Sequence, residues 1–393
     1  IAAKNSRGPT DMTITAPPTP GDGAAQPAQP VQPATDSIHL DLTGVSLTSG
    51  RLAGWIPWAL LGAAVGLTLP VFLMVAAAGA SEMNVGGWLV SAAVIYLVLI
   101  FTISTIVESR RKAVDRLVTG LVAGAFLLAM IPLVSVAWTV VSLGVARMDA
   151  DFFSMSMRNV VGEGGGALHA IVGTLLVTLA AAVISIPIGL FTAIYLIEYG
   201  RGGRLARGIT FFVDVMTGIP SIVAGLFAYA LFALFLGPGV RMGIMGSIAL
   251  AVLMIPVVVR SSEEMLRLVP NELREASYAL GVPKWLTIVK VVLPTSIAGI
   301  TTGIMLSISR VIGETAPLLI TAGFTASMNY DLFSGRMQTL PVFTYNQYVS
   351  QGIPAEAYLD RAWASALTLI IIVMLLNLAA RLIAKIFAPK VSR

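Results

Sequence analysis

Residues 270–294 read PNELREASYALGVPKWLTIVKVVLP, a polar-studded island between two long apolar runs. Two short helical patterns fill it. Pro270 suits a first helical turn, where its missing N–H costs nothing, and Glu272 favours the positive end of the same helix. Leu273, Ala276, Ser277 and Leu280 recur at helical spacing and form one small-to-apolar stripe. Gly281 then supplies the left-handed residue that ends a helix. A second pattern restarts at Pro283, with Trp285, Ile288, Val289 and Val292 as its apolar face, and is expected to stop at Pro294. Two amphipathic helices about a glycine elbow make either a docking element or a cap over the chain's own loops.

Composition places this island in a membrane protein. Of 393 residues, 56% are hydrophobic and only 11% charged, about half the charge of a soluble domain. The absence of cysteine excludes disulfide frameworks and Cys-ligated metals. A net charge of +5 is compatible with nucleic-acid binding, but the basic residues gather in loops that set topology. Residues 1–50 are rich in Pro, Ala, Gly and Thr, with few large apolar groups before Ile38, and are expected to be a disordered cytoplasmic tail. Met12 is the expected native start, with 1–11 a cloning remnant.

Beyond the tail, apolar runs long enough to span about 30 Å of hydrocarbon recur eight times. They lie near 53–78, 86–107, 117–144, 167–197, 209–236, 242–259, 295–322 and 363–387. The expected class is therefore an all-α membrane protein of about eight transmembrane helices. ESRRKAVDR (108–116) follows the second run and YGRGGRLAR (199–207) the fourth. The island adds Arg260, Arg267, Arg274, Lys284 and Lys290, and the C-terminus Arg381, Lys385, Lys390 and Arg393. The opposite loops hold only Arg147, Arg158, Arg241, Arg336 and Arg361. The positive-inside rule puts both termini and the island in the cytoplasm. Of the two long outward loops, 145–166 and 324–362, the second carries Tyr330, Phe333, Tyr345, Tyr348 and Tyr358, as an interfacial cap or a landing surface.

Charges inside spans are expensive and invite a functional reading. Arg310 falls near the centre of the seventh run, in SRVIGETAPLL (309–319), with Glu314 four residues on. On an unbroken helix the two share a face and pair. That pair is either structural or a gate, since arginine offers a planar fork of donors to an oxyanion and Glu314 holds it until substrate displaces it. Gly313 and Pro317 bracket the pair and permit a local break. The fifth run holds a second break, TGIPSIVAGLF (217–227), with Pro220 and Ser221 near mid-depth. A helix restarting there aims N–H groups and a positive dipole end into the membrane, with the Thr217 and Ser221 hydroxyls nearby; the plainer reading is a proline kink. Arg260 closes the sixth run, where snorkelling competes with a place in a substrate path. Asp214 favours the N-terminus of the fifth. His39 and His169 form no metal-ligand spacing, no catalytic motif is present, and without GxxxxGK[ST] the chain cradles no nucleotide. No catalytic and no metal residues are expected.

Glu275-Ala276-Ser277, three residues, Gly281, nine residues and Val291-x-Leu293-Pro294 together resemble the EAA signature of bacterial ABC importer permeases, with Ser for the second Ala and Val for Ile. GIPSIVAGLF and IGETAPLL are similar to the signatures of the A-type permease subunit of phosphate importers, the PstA family. The likeness covers roughly 117–387. It implies a type I importer permease core of six helices (117–393), with a cytoplasmic EAA coupling loop at about 260–294 and two accessory helices over 51–116 outside the core. It implies coupling to an ATPase through Glu275, Ala276, Ser277, Gly281, Leu293 and Pro294. Arg310, Glu314, Ser221, Thr217 and Arg260 become substrate-binding or gating residues. The implied partners are a second permease of the C-type sister kind, two cytosolic ABC ATPase subunits that use ATP and Mg, an extracytoplasmic phosphate-binding protein, phosphate itself and the lipid bilayer. The implied location is the bacterial plasma membrane, and no cofactor belongs to this chain. Sulfate or another tetrahedral oxyanion fits the Arg/Ser chemistry equally well. An intramembrane enzyme using Arg310 and Glu314 as acid and base, or a passive anion channel, leaves the island unexplained.

Overall fold

The computed structural model describes residues 52–78, 84–200 and 202–387. The expected tail at 1–50, with Met12 and His39, and the C-terminal Lys390 and Arg393 lie outside them. The chain divides into two compact units, 1–123 and 124–393. Helices dominate both, because backbone groups in hydrocarbon must find their partners within the segment.

In the first unit α1 (Ile56–Ala77) and α2 (Val85–Val107) lie side by side, and α3 (Arg110–Gly144) begins at the turn that follows. Asn84 opens α2 by accepting from Gly87 N at 2.8 Å, which satisfies one of the first-turn donors. The α2–α3 turn is organised by Glu108, whose side chain is 2% exposed. Its carboxylate accepts from Leu52 N at 3.0 Å, Ser104 Oγ at 2.8 Å and Arg116 Nε at 2.8 Å.

The second unit continues through α4 (Ala150–Ser154), α5 (Leu168–Ile194) with a wide π turn at Tyr195–Tyr199, α6 (Arg204–Thr217), α7 (Ser221–Leu236) and α8 (Gly243–Arg267). Next come α9 (Asn271–Ala279), α10 (Lys284–Thr287), a second π turn at Ile288–Val292, α11 (Leu293–Val311), α12 (Ala316–Thr321), α13 (Leu340–Val349) and α14 (Ala355–Phe387). The core is the seam between α5 and α8, where Val177, Ala181, Leu250, Met254 and Val258 are fully buried. Small residues on α5 let the helices approach, and Ser247 Oγ reaches across to Val177 O at 3.1 Å. Further along, Gly189 meets Val258. The two contacts have nearly equal sequence offsets, 70 and 69 residues, so α5 and α8 run parallel.

That parallel pairing settles how the chain crosses between them. Among the described residues, seven helices are long and apolar enough to span, and α6 with α7 passes the same test only as a pair bent by 110°. To bring the chain from the end of α5 back to the start of α8, the α6–α7 pair must make one crossing, the eighth among the described residues. The break expected within the 209–236 run lies at Gly218, Ile219 and Pro220, where proline has no N–H to continue the ladder, and the segment before it starts earlier than expected, at Arg204. Asp214 consequently lies in the last turn of α6, not at a helix start.

Other expected limits also move. The sixth run extends through a further two turns to Arg267, so Arg260 is internal to α8. The seventh is cut at Ile312–Thr315 into α11 and α12. The eighth starts at Ala355, which places Arg361 inside a helix, not in a loop. The outward segment 324–362 is not a plain loop, because α13 packs into it: Leu340 N donates to Thr174 Oγ1 of α5 at 2.7 Å, and Thr344 Oγ shares a hydrogen bond with Ser365 Oγ of α14 at 2.7 Å. Tyr330, Phe333, Tyr345 and Tyr348 are exposed there. Tyr358 instead lies 4.6 Å under the Arg361 guanidinium.

Candidate functional site

Depth is the first thing the structure assigns to Arg310. α11 packs antiparallel on α8, with Gly299 facing Met265 and Gly303 facing Ser261. Arg310 is seven residues beyond Gly303, or roughly 10 Å further at 1.5 Å per residue. It is therefore level with Met254, near the middle of α8. The side chain is exposed and makes no hydrogen bond or ion pair with any described residue. The expected Arg310–Glu314 pair is not formed. α11 ends at Val311 and Glu314 sits in the turn before α12, so the four-residue spacing no longer puts both side chains on one helical face.

The two breaks meet each other. A Cβ on Gly225 of α7 would stand 2.6 Å from Pro317 Cα of α12, so the contact is open to glycine alone. Ala224 and Leu318 are buried beside it. Ser221 opens α7 one turn before this contact, and Glu314 precedes Pro317 by three residues. Hence Ser221 and Glu314 flank the point where α7 and α12 meet, and Arg310 is on α11, the helix that precedes α12. Ser221 is half-buried with no partner among the described residues, and its N–H belongs to the first turn of α7, ahead of the internal ladder. Thr217 is turned to another use, since its hydroxyl donates to Val213 O of its own helix at 2.9 Å.

Arg260 is already partnered. It donates to Asp214 on α6 and, at 2.8 Å, to Glu263 on its own helix. Held by two carboxylates, its guanidinium has no surplus positive charge to offer an anion. It ties α6 to α8 in this state.

The island at 270–294 has the two helices and the elbow. Gly281 has φ 75° and open space where a side chain would project, so it is required for backbone conformation alone. Ser277 Oγ and Thr287 Oγ1, on either side of the elbow, share a hydrogen bond at 2.8 Å and fold the two helices together. Glu275 and Ala276 face outward. Leu280 is 83% exposed and Trp285 61%, with Tyr278 and Val289 beside them in sequence also exposed. Pro294 does not stop the second helix. The π turn at Ile288–Val292 widens the ladder ahead of it and Leu293 and Pro294 begin α11, so the island runs into a membrane helix without a joint.

Residues 185–393 match the family model described as binding-protein-dependent transport system inner membrane component. Among curated proteins, the phosphate transport system permease protein PstA 1 of Mycobacterium tuberculosis is 48% identical over 277 residues, 70% of this chain and 90% of that protein. PstA of Mycobacterium leprae is 46% identical, covering 69% and 89% of the two chains. PstA of Yersinia pestis is 39% identical, covering 73% and 96%. The chain belongs to the PstA family of permeases. A solved inward-facing methionine ABC transporter, MetNI, is 20% identical, covers 56% of this chain and 96% of its own, and has a TM-score of 0.47.

Two charged residues of this PstA-family chain play parts that their sequence positions do not announce. Glu198 follows an apolar run in LIEYG and looks like the start of a loop, yet its side chain is 5% exposed and paired with Arg274 at 2.9 Å. Arg361, 1% exposed, donates to Gln347 Oε1 at 2.9 Å and to the carbonyls of Gly162 and Gly164 at 2.7 and 3.0 Å. It fastens the 159–166 loop to α14. The available signal was charge alone: an acid beside a strongly basic loop, and an arginine at the start of an apolar run.

Proposed function

We propose that this chain is the permease subunit of an ATP-driven phosphate importer, forming half of the translocation path. The observation that carries the substrate side is Arg310. A guanidinium at mid-depth costs about 2.5–3.5 kcal/mol on insertion scales, and this one has no counter-ion among the described residues. It is accounted for if it faces a wet path completed by a second permease, where its fork of donors meets a tetrahedral oxyanion. Ser221 and the first N–H groups of α7 supply neutral donors to the same anion.

The coupling side rests on the island. Leu280, Trp285 and Tyr278 put apolar and aromatic surface on the side that the basic loops assign to the cytoplasm, and aromatic anchors of this kind seat in partner pockets. The partner is a cytosolic ATPase pair that supplies ATP and Mg chemistry this chain lacks. An extracytoplasmic phosphate-binding protein delivers the anion from the opposite side. Closure of the ATPases moves the island, and because the island continues into α11, the helix that carries Arg310 moves with it. The nucleotide shifts the equilibrium only through contacts that differ between the two states, and the island surface is where those contacts lie.

Reconstitution of the full complex in liposomes tests this directly. Radiolabelled phosphate uptake should require ATP inside and binding protein outside, and unlabelled sulfate in excess should not compete. Competition by sulfate would reassign the substrate to another oxyanion. Uptake without ATP would make the path a channel.

A further inference from the structure

We propose that Glu198 and Arg274 form the clasp that carries movement of the docking island to the central α5–α8 pair, which makes Glu198 a positioning residue for transport. This rests on the importer reading above. Arg274 belongs to α9, one residue before Glu275, and its side chain is 12% exposed. Its guanidinium joins three elements. Nε donates to Glu198 Oε1 at 3.0 Å, Nη1 to Val269 O at 2.6 Å and Nη2 to Leu266 O at 3.0 Å. Leu266 and Val269 lie at the C-terminal end of α8, and Glu198 in the π turn that ends α5.

The other half of the island grips the same place. Lys284 of α10 donates to Glu198 O and lies 4.9 Å over the Tyr199 ring. Among the described residues, every side-chain hydrogen bond from the island to α5 or α8 runs through Arg274 or Lys284. With Ser277 and Thr287 closing the elbow, the island is one body held through two side chains that both reach Glu198, Arg274 holding the end of α8 as well. Below the polar ties, Ala193, Leu266, Val292 and Ile300 form a buried apolar floor, so the clasp sits on packed helices and its displacement is passed on to them. Both helices that meet the island, α5 at its end and α11 at its start, do so through π turns, which recur at functional sites.

A plainer role for Arg274 is to cap the last carbonyls of α8. Capping needs no Glu198, so substitution of the acid separates the roles. In the reconstituted complex, Glu198→Gln keeps shape and hydrogen bonding but removes the charge. The clasp predicts that ATP hydrolysis by the partner stays within about twofold, while phosphate moved per ATP falls about tenfold, inside the range of site-to-site coupling. Arg274→Lys, which keeps charge but loses the fork, should fall in the same direction by less. An unchanged phosphate-to-ATP ratio in Glu198→Gln would overturn the clasp, as would a proportional loss of both activities. If Glu198→Gln fails to assemble, Arg274→Lys carries the same comparison, and failure of both makes the pair a folding element and overturns the proposal. Wild-type complex that moves no phosphate with ATP would refute the importer reading instead.

Discussion

A guanidinium at half depth with no counter-ion among the described residues is tolerated only where something polar covers it, and Arg310 is in that position because α11 ends one residue later. The i, i+4 spacing to Glu314 is visible in the sequence, but the end of the helix that undoes it is not. Gly313 permits a break without requiring one. Arg260 shows the converse: a basic residue near the end of an apolar run reads as a free charge until Asp214 and Glu263 are seen on it. Glu108 gives a residue-scale prediction with a definite sign. The hydrogen bond from Arg116 holds its carboxyl at about 2, below the ordinary 4.5, against the opposing effect of burial. An acid whose folded value is depressed adds stability above its unfolded value and loses it as pH falls through the folded one. Protection of the Leu52 amide, corrected for intrinsic exchange, should therefore be full above about pH 4.5 and decline toward pH 2. Glu108→Gln should remove that dependence. A flat wild-type profile would contradict the assignment.

Elements were legible to unequal degrees. The glycine elbow of the island could be read directly, because a small-to-apolar stripe, a glycine and a proline restart leave the chain few alternatives. The expected stop at Pro294 fails because a π turn absorbs the proline, an option that periodicity does not reveal. The meeting of the two breaks was also hidden: TGIPSIVAGLF and SRVIGETAPLL are separated by a whole span and a docking island, and nothing local says that Gly225 faces Pro317. Gly225→Val should drive α7 from α12, with an overpacking cost of about 1–3 kcal/mol. A lowered melting temperature of the purified complex and reduced phosphate uptake are expected, and a neutral result would show that the breaks do not depend on each other. At Gly281 the open space around a new Cβ leaves backbone strain as the whole effect. Gly281→Val should therefore cost about 1–2 kcal/mol from the left-handed conformation. Weaker ATPase binding to detergent-solubilised permease is the readout. Unchanged binding would mean that the elbow is not part of the docking surface.

For the whole molecule, the apolar runs and the loop charges supplied the number of crossings, and the parallel α5–α8 pair supplied the reason that the bent α6–α7 counts as one of them. The α1–α2 pair stands in its own unit, and no residue in it carries a transport role in this account. Because the chain has no cysteine, topology is open to a clean test with single thiols. Arg336→Cys should react with an impermeant maleimide on intact cells and Arg111→Cys only after lysis; the reverse pattern would invert the orientation and place the island outside. The path itself is tested most directly by comparing Arg310→Gln with wild type in liposomes that hold the complete importer. An assembled complex that still hydrolyses ATP, with phosphate uptake lowered by about two orders of magnitude or roughly 2–3 kcal/mol, is the predicted result. Uptake at the wild-type rate would contradict it and leave Arg310 outside the translocation path.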